Sequence, residues 1–251
     1  MDTDSLFFEL YRNIPRQGPG DDESTRKAFS FLKDIPSNIK LLDVGCGSGI
    51  QSIQLAKLIN GHITAIDIHQ PFLNKLKASA ENKGLSEKIT ILNKSMYEMD
   101  FPGGSFHVIW SEGSMYIYGF RNALNDWKRM INTGGYLVCS HITWLRDDPP
   151  DEVRSFWEEE YPEIAGVVEN IDTIQRAGYS LIEHFVLPEE SWWNNYYIPL
   201  KNRLAAVHQK YRTNSMMQKL VKATEDEIRM FERFSDYYGY IFYIMKLAEH
   251  E

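Results

Sequence analysis

Along the chain the apolar residues change their period in a regular way. From about residue 39 to 141, short apolar runs alternate with stretches in which apolar residues recur at helical steps. "IKLLDV" is apolar on consecutive residues and is bounded by a glycine turn, so it reads as a buried strand. After it Ile53, Ala56 and Ile59 recur with Leu55 and Leu58 beside them, which predicts a helix over residues 50–60. "HITAID" is a second strand, and "QPFLNKLKASAENKG" a helix that stops at Gly84. "KITILNKS", "SFHVIWS" and "GGYLVCSHI" give three more strands, with a helix in "FRNALNDWKRMINTGG", closed by Gly134, between the last two. Each parallel strand pair needs a crossover, so this alternation predicts an α/β, doubly wound, mostly parallel sheet covered on both faces.

The flanks follow other patterns. Residues 1–20 end in the turn-rich "RQGPG", before a helix whose start is marked by Asp21 and Asp22. Residues 146–169 hold "RDDPPDEV" and "EEEYPE", acidic and proline-punctuated, which reads as an insertion over the sheet. "IDTIQRAGYSLIEHFVL" reads as helix, glycine stop and strand, and "PEESWWNNYYIPL" as an aromatic loop. Polar helical sequence then runs to about Asp236, and "YYGYIFYIMKL" is strongly β-forming. The strands total seven. The whole pattern fits a single domain, 1–251, with a helical and aromatic cap drawn from residues 1–20, 146–169 and 188–235.

Composition removes several function classes. The formal charge is −8, from 27 basic and 35 acidic residues. With no run of Lys and Arg, this argues against a nucleic-acid partner, whose phosphates need a concentrated positive surface. No apolar run reaches membrane-spanning length, and "MDTDSLFFELYRNIPRQ" lacks the pattern of a signal peptide. Cys46 and Cys139 form neither a disulfide framework nor a metal spacing, and no histidine pairs with Cys or carboxylates as metal ligands. The expectation is a cytoplasmic protein with no metal and no membrane partner.

The candidate chemistry begins at "LLDVGCGSGI", Leu41 to Ile50. Ligands of open α/β sheets bind beyond the carboxyl ends of the strands. Gly45 and Gly47 remove side chains there and let the backbone approach a ligand. A dinucleotide fingerprint would place a third glycine at position 50 to pack the helix around a pyrophosphate. Here that position is Ile50, and the G-x-G-x-G spacing fits a ligand without a diphosphate. Asp67, closing the second strand, can accept hydrogen bonds from two ribose hydroxyls, and Ile68 can lie against an adenine face. These features point to an adenosine-type ligand lacking phosphates.

"LLDVGCGSG", Asp67, "NKSMYEMDFPGGSFHVIWSEG" and "NTGGYLV" together resemble the class I S-adenosylmethionine (SAM)-dependent methyltransferases. The resemblance spans roughly residues 16–145 by motif and the terminal strand by position, and extends to a group of bacterial and archaeal small-molecule methyltransferases. It implies a Rossmann-like sheet with an antiparallel C-terminal strand and SAM as cofactor. By the same resemblance Gly45, Cys46 and Gly47 line the amino-acid and ribose portion of the cofactor, and Asp43 supports the loop or the ammonium group. Asp67 holds the ribose, Ser95 and Met96 flank the adenine, and Ser111 lies near the transferred methyl. Many members carry an acidic residue beside the adenine; this chain has "KSM".

Methyl transfer needs orientation and exclusion of water more than acid–base help. Glu112, leaving strand four, either orients or deprotonates an acceptor or caps the following turn. Tyr116 and Tyr118 either line a pocket, where a cation can meet their rings, or pack the cap. His141, at the end of strand five, is the best placed of the seven histidines for proton transfer, with a structural hydrogen bond as its alternative. Arg16, before the Gly-Pro-Gly turn, either pairs with the SAM carboxylate or is a surface arginine. In "SWWNNYY", Trp192, Trp193, Tyr196 and Tyr197 form a substrate lid or a buried cluster. The expected activity is transfer of a methyl group to an O, N, S or C atom of a small molecule, releasing S-adenosylhomocysteine (SAH). The alternatives are a protein or RNA methyltransferase and a non-catalytic SAM-binding module. A homodimer is a possible assembly.

Overall fold

In the computed structural model, which describes residues 3–248, the apolar run Ile39–Val44 forms β1. Of its residues only Lys40 is exposed, because the strand lies mid-sheet with both faces covered. The other strands are β2 (Gly61–Asp67), β3 (Ile89–Asn93), β4 (Phe106–Glu112), β5 (Ile131–Trp144), β6 (Tyr179–Val186) and β7 (Tyr238–Leu247). Among the described residues they form one seven-stranded sheet in the order β3-β2-β1-β4-β5-β7-β6. β7 runs antiparallel to both neighbours, and the remaining six strands share one direction. The chain winds outward from β1 through β2 and β3, then returns to place β4 on its other side. That reversal opens a crevice at the carboxyl ends of β1 and β4.

Helices α2 (Asp22–Ser30), α3 (Ile50–Leu58) and α4 (Gln70–Asn82) cover one face, over Leu41, Ile63, Val108 and Trp110. The short α5 (Met115–Tyr118), with α6 (Phe120–Trp127) and α8 (Val167–Arg176), covers the other, over Leu42, Ile109 and Leu137. The start marked by Asp21 is a true N-cap: its carboxylate accepts from the Ser24 N–H at 2.6 Å. The cap region comprises α1 (Thr3–Leu10), α7 (Asp151–Glu160), α9 (Glu189–Trp192), α10 (Ile198–Lys210) and α11 (Ser215–Phe234). Helix α11 buries Met217, Val221, Thr224, Ile228 and Phe231 at alternating four- and three-residue steps, one stripe facing the body. No helix among the described residues is long and apolar enough to cross a membrane.

Two expectations about elements need correction. "PEESWWNNYYIPL" is no loop: α9 passes through a π-helical segment, Trp193–Tyr197, directly into α10. Helical steps put Trp192 and Tyr197 together on Phe231, with Trp192 stacked on that ring at 4.3 Å. The wide turn precedes Pro199, which has no N–H to give an α-helical bond. Second, the helix expected to close at Gly134 ends at Trp127, and β5 starts at Ile131. Gly134 (φ +71°) instead shapes an irregularity in β5, where the pairing with β4 shifts between Phe106–Ile131 and Val108–Tyr136. The acidic insertion of residues 146–169 holds α7 and the start of α8.

Candidate functional site

The glycine loop is fixed before any ligand enters. The N–H groups of Gly45 and Cys46 both donate to the Ile66 carbonyl on β2, at 3.0 and 2.9 Å. Gly45, Gly47 and Gly49 all have left-handed backbones, with φ of +70°, +53° and +75°. A Cβ on Gly45 would stand 2.5 Å from Ser114 Oγ, and one on Gly47 would stand 2.7 Å from Gln17 Oε1. A Cβ on Gly49 would run into Leu76 of α4, so the third glycine serves the contact between α3 and α4. Asp43 lies beneath the loop, wholly buried, accepting bonds from Ser52 and from Gln51 (3.5 Å). Burial pushes its carboxyl up to about 7, and the charges of Glu112 and Asp67 add to the rise. It steadies the loop from below and is absent from the cavity lining.

Above the loop lies a cavity of about 250 Å³. Its wall includes Arg16, Gly45, Cys46, Gly47 and Asp67, and continues through Ile68, Ser95, Met96, Glu112 and Tyr116. Asp67 accepts one N–H on each oxygen, from Gly47 and from His69, both at 2.8 Å. Each oxygen keeps a further lone pair, so the carboxylate suits two hydroxyl donors in the cavity. Ile68 is 60% exposed at the rim, and Met96 reaches the loop from the opposite side. No acidic side chain stands at the Ser95 and Met96 edge of the lining, in keeping with "KSM".

A strap formed by residues 15–20 roofs the cavity. Gln17 Oε1 accepts from the Ser48 N–H at 2.8 Å, and Ser48 Oγ donates to the Pro15 carbonyl at 3.1 Å. Arg16, 7% exposed, donates to Asp22 at 2.9 Å and to Glu112 at 3.4 Å. Glu112 also accepts from Thr25 Oγ1 (2.7 Å) and Trp110 Nε1 (2.9 Å). Burial raises the Glu112 pKa, while Arg16 and these donors pull it down. Both oxygens are engaged by side chains, so Glu112 acts as anchor of the strap; the turn after it is held instead by Ser140, whose Oγ accepts the Gly113 N–H at 2.9 Å. The cap clamps the strap's far end: Asn195 donates to the Gly20 carbonyl at 3.0 Å and Ser191 to Asp21. Phe7 and Phe8 of α1, with Tyr11 in the turn after it, close the side.

Several expected residues stand elsewhere. Ser111 is fully buried and bonded to Ser114 Oγ at 2.8 Å, and it is Ser114 that lines the cavity. His141 is 2% exposed, sandwiched by Phe120 at 4.3 Å and Tyr161 at 5.6 Å, with neither ring nitrogen partnered among the described residues. Burial drives its pKa down to about 3, so at neutral pH it is an uncharged ring in an aromatic stack. Tyr118 turns outward and donates to Asp126 at 2.7 Å. Trp192 and Tyr197 are core residues, and Trp193 donates to Glu189 at 3.0 Å. The sequence reading missed Gln17, Ser114 and the α1 aromatics. "SLFFELY" carried a signal, an apolar cluster at helical spacing just before the strap.

The arrangement offers a small-molecule site: backbone-lined at the loop, one carboxylate for hydroxyls, an apolar rim and a roof. Residues 41–135 match the family model described as "Methyltransferase domain". A sterol 24-C-methyltransferase of Gibberella zeae is 24% identical over 160 residues, covering 60% of this chain and 42% of that protein. Protein arginine N-methyltransferase 1 of Saccharomyces cerevisiae is 29% identical over 147 residues, covering 55% of this chain and 42% of that protein. The chain thus spans under half the length of these curated relatives. A SAM-dependent methyltransferase from Geobacter sulfurreducens, solved in complex with SAH, superposes with a TM-score of 0.80 at 18% identity, covering 96% of this chain and 97% of that one. Residues 41–135 therefore match a methyltransferase domain, and the chain shares its fold with a solved SAM-dependent methyltransferase.

Proposed function

We propose that the chain binds SAM in this cavity and transfers its methyl group to a small-molecule acceptor, releasing SAH. The observation that carries the reading is Asp67, fixed by two backbone N–H groups with lone pairs left toward a cavity floored by Gly45 and Gly47. Asp67 would hold the ribose hydroxyls, the glycine turns would lie along the ribose and amino-acid portion, and Ile68, Ser95 and Met96 would flank the adenine. The bound cofactor supplies a methyl group on a sulfonium, already joined to a good leaving group. What remains for the protein is to orient the acceptor and exclude water. The strap and α1 do the excluding, and Tyr116 faces the cavity beside the post-β4 turn. A roof clamped by Ser191 and Asn195 favours a small acceptor over a polypeptide chain.

The test is SAH formation from SAM across a panel of small acceptors of different classes. The reading expects one class to raise SAH release at least about tenfold over SAM alone, a barrier change of roughly 1.4 kcal/mol. SAH binding without turnover on any acceptor would favour a binding module, and stimulation by proteins alone would move the acceptor to a polypeptide.

A further inference from the structure

The cap end of the cavity is backed by a group of tyrosines from separate elements. Tyr11, in the turn after α1, and Tyr116 of α5 line the cavity itself. Tyr196 joins Tyr11, with hydroxyl oxygens 3.3 Å apart and rings nearly parallel. Tyr240 of β7 stands over Gly113, its ring 3.1 Å from where a Cβ would be, so a side chain at 113 would displace it. Tyr116 is 39% exposed and lies on the cavity lining.

Behind these rings is Glu227 of α11. Its side chain is half-buried. Its one partner among the described residues is the Tyr197 hydroxyl, which donates to it at 2.9 Å; no lysine or arginine pairs with it. Its charge is felt by Tyr11, Tyr116, Tyr196 and Tyr240, and Glu160 at the end of α7 acts on both Tyr116 and Glu227. A half-buried carboxylate without a counter-ion is costly to a protein that gains nothing from it. Tyrosine rings around such a carboxylate make a favourable place for a weakly hydrated positive charge.

We propose that this tyrosine cluster recognises an acceptor carrying an alkylammonium group, with Tyr11 and Tyr116 against it, Tyr196 and Tyr240 behind them, and Glu227 as its counter-ion. The proposal rests on the methyltransferase reading, because Tyr11 and Tyr116 line the proposed cofactor cavity, and it narrows the acceptor to an organic cation. It also gives "SWWNNYY" a role other than a lid: its tyrosines connect the cavity to Glu227 while its tryptophans pack the cap.

The test compares choline with its uncharged carbon isostere 3,3-dimethylbutan-1-ol by titration calorimetry on the SAH-loaded protein. The wild type should bind choline at least about tenfold more tightly than the isostere. Glu227→Gln, which keeps an acceptor for Tyr197, should bring the two to near parity while leaving SAH affinity within about twofold. Tyr116→Leu should lower choline affinity and serves as the second variant if Glu227→Gln does not fold. Equal binding of the two probes, no choline binding, or a preference that survives both variants would overturn the proposal. Failure of SAH to bind the wild type is a separate result and would overturn the methyltransferase reading instead.

Discussion

At the β1–β2 end of the cavity, the ligand-facing surface is largely backbone: three glycine turns, N–H groups tied to Ile66, and one carboxylate. At the cap end it is side chains from α1, the turn after it and α5, backed by the helices beyond residue 188. The first end is built within about thirty residues of chain and is held by turns that only glycine adopts cheaply. The second is assembled from segments nearly two hundred residues apart, as in the Tyr11–Tyr196 contact. Backbone construction fixes which cofactor is bound; side-chain construction leaves the acceptor free to differ among proteins of this fold.

The comparison breaks hardest at Gly45. Gly45→Val places a branched side chain at φ +70° against Ser114, and should abolish detectable SAH binding by calorimetry. Next in size is the strap. Arg16→Ala leaves Glu112 buried without its cation and should cost about 3 kcal/mol in denaturant unfolding. Adding Glu112→Gln should restore part of that loss, since the unpaired charge goes with it.

A smaller effect sharpens the cap side. Burial pushes Glu227 up to about 7, and the phenols facing it are raised too, so only the carboxyl changes charge near neutrality. Choline keeps its charge at every pH. Its affinity should therefore climb as pH rises from 6 to 8, by roughly tenfold, and stay flat in Glu227→Gln. The smallest effect belongs to Tyr118→Phe: its hydroxyl meets only Asp126 at the surface, and stability should move by less than about 0.5 kcal/mol with SAH binding unchanged.

The same contrast explains how much was legible in the sequence. The parallel strands, the glycine turns and Asp67 were readable because their physics is local: a buried strand is apolar throughout, and a left-handed turn demands glycine. Ile50 excluded the diphosphate fingerprint without any structure. The cap was not readable in this way. "SWWNNYY" looked like a loop because its aromatic density hid a helical period that only Phe231, more than thirty residues on, completes. His141 read as the end of strand five, yet β5 runs on to Trp144 and the His141 side chain packs between Phe120 and Tyr161; strand position alone does not say which layer receives it. Glu227 was one acidic residue in a polar helix, marked only by the Tyr197 hydroxyl on the other side of the cap.

The most direct test of the central claim is calorimetric titration of SAH into the wild type and into Asp67→Ala, with NAD as the control ligand. The account predicts one-to-one binding of SAH, no heat with NAD, and at least about thirtyfold weaker binding in Asp67→Ala, as expected for losing hydrogen bonds to a charged acceptor. Heat with NAD, no heat with SAH, or an Asp67→Ala protein of native circular dichroism that binds SAH as tightly as the wild type would contradict it.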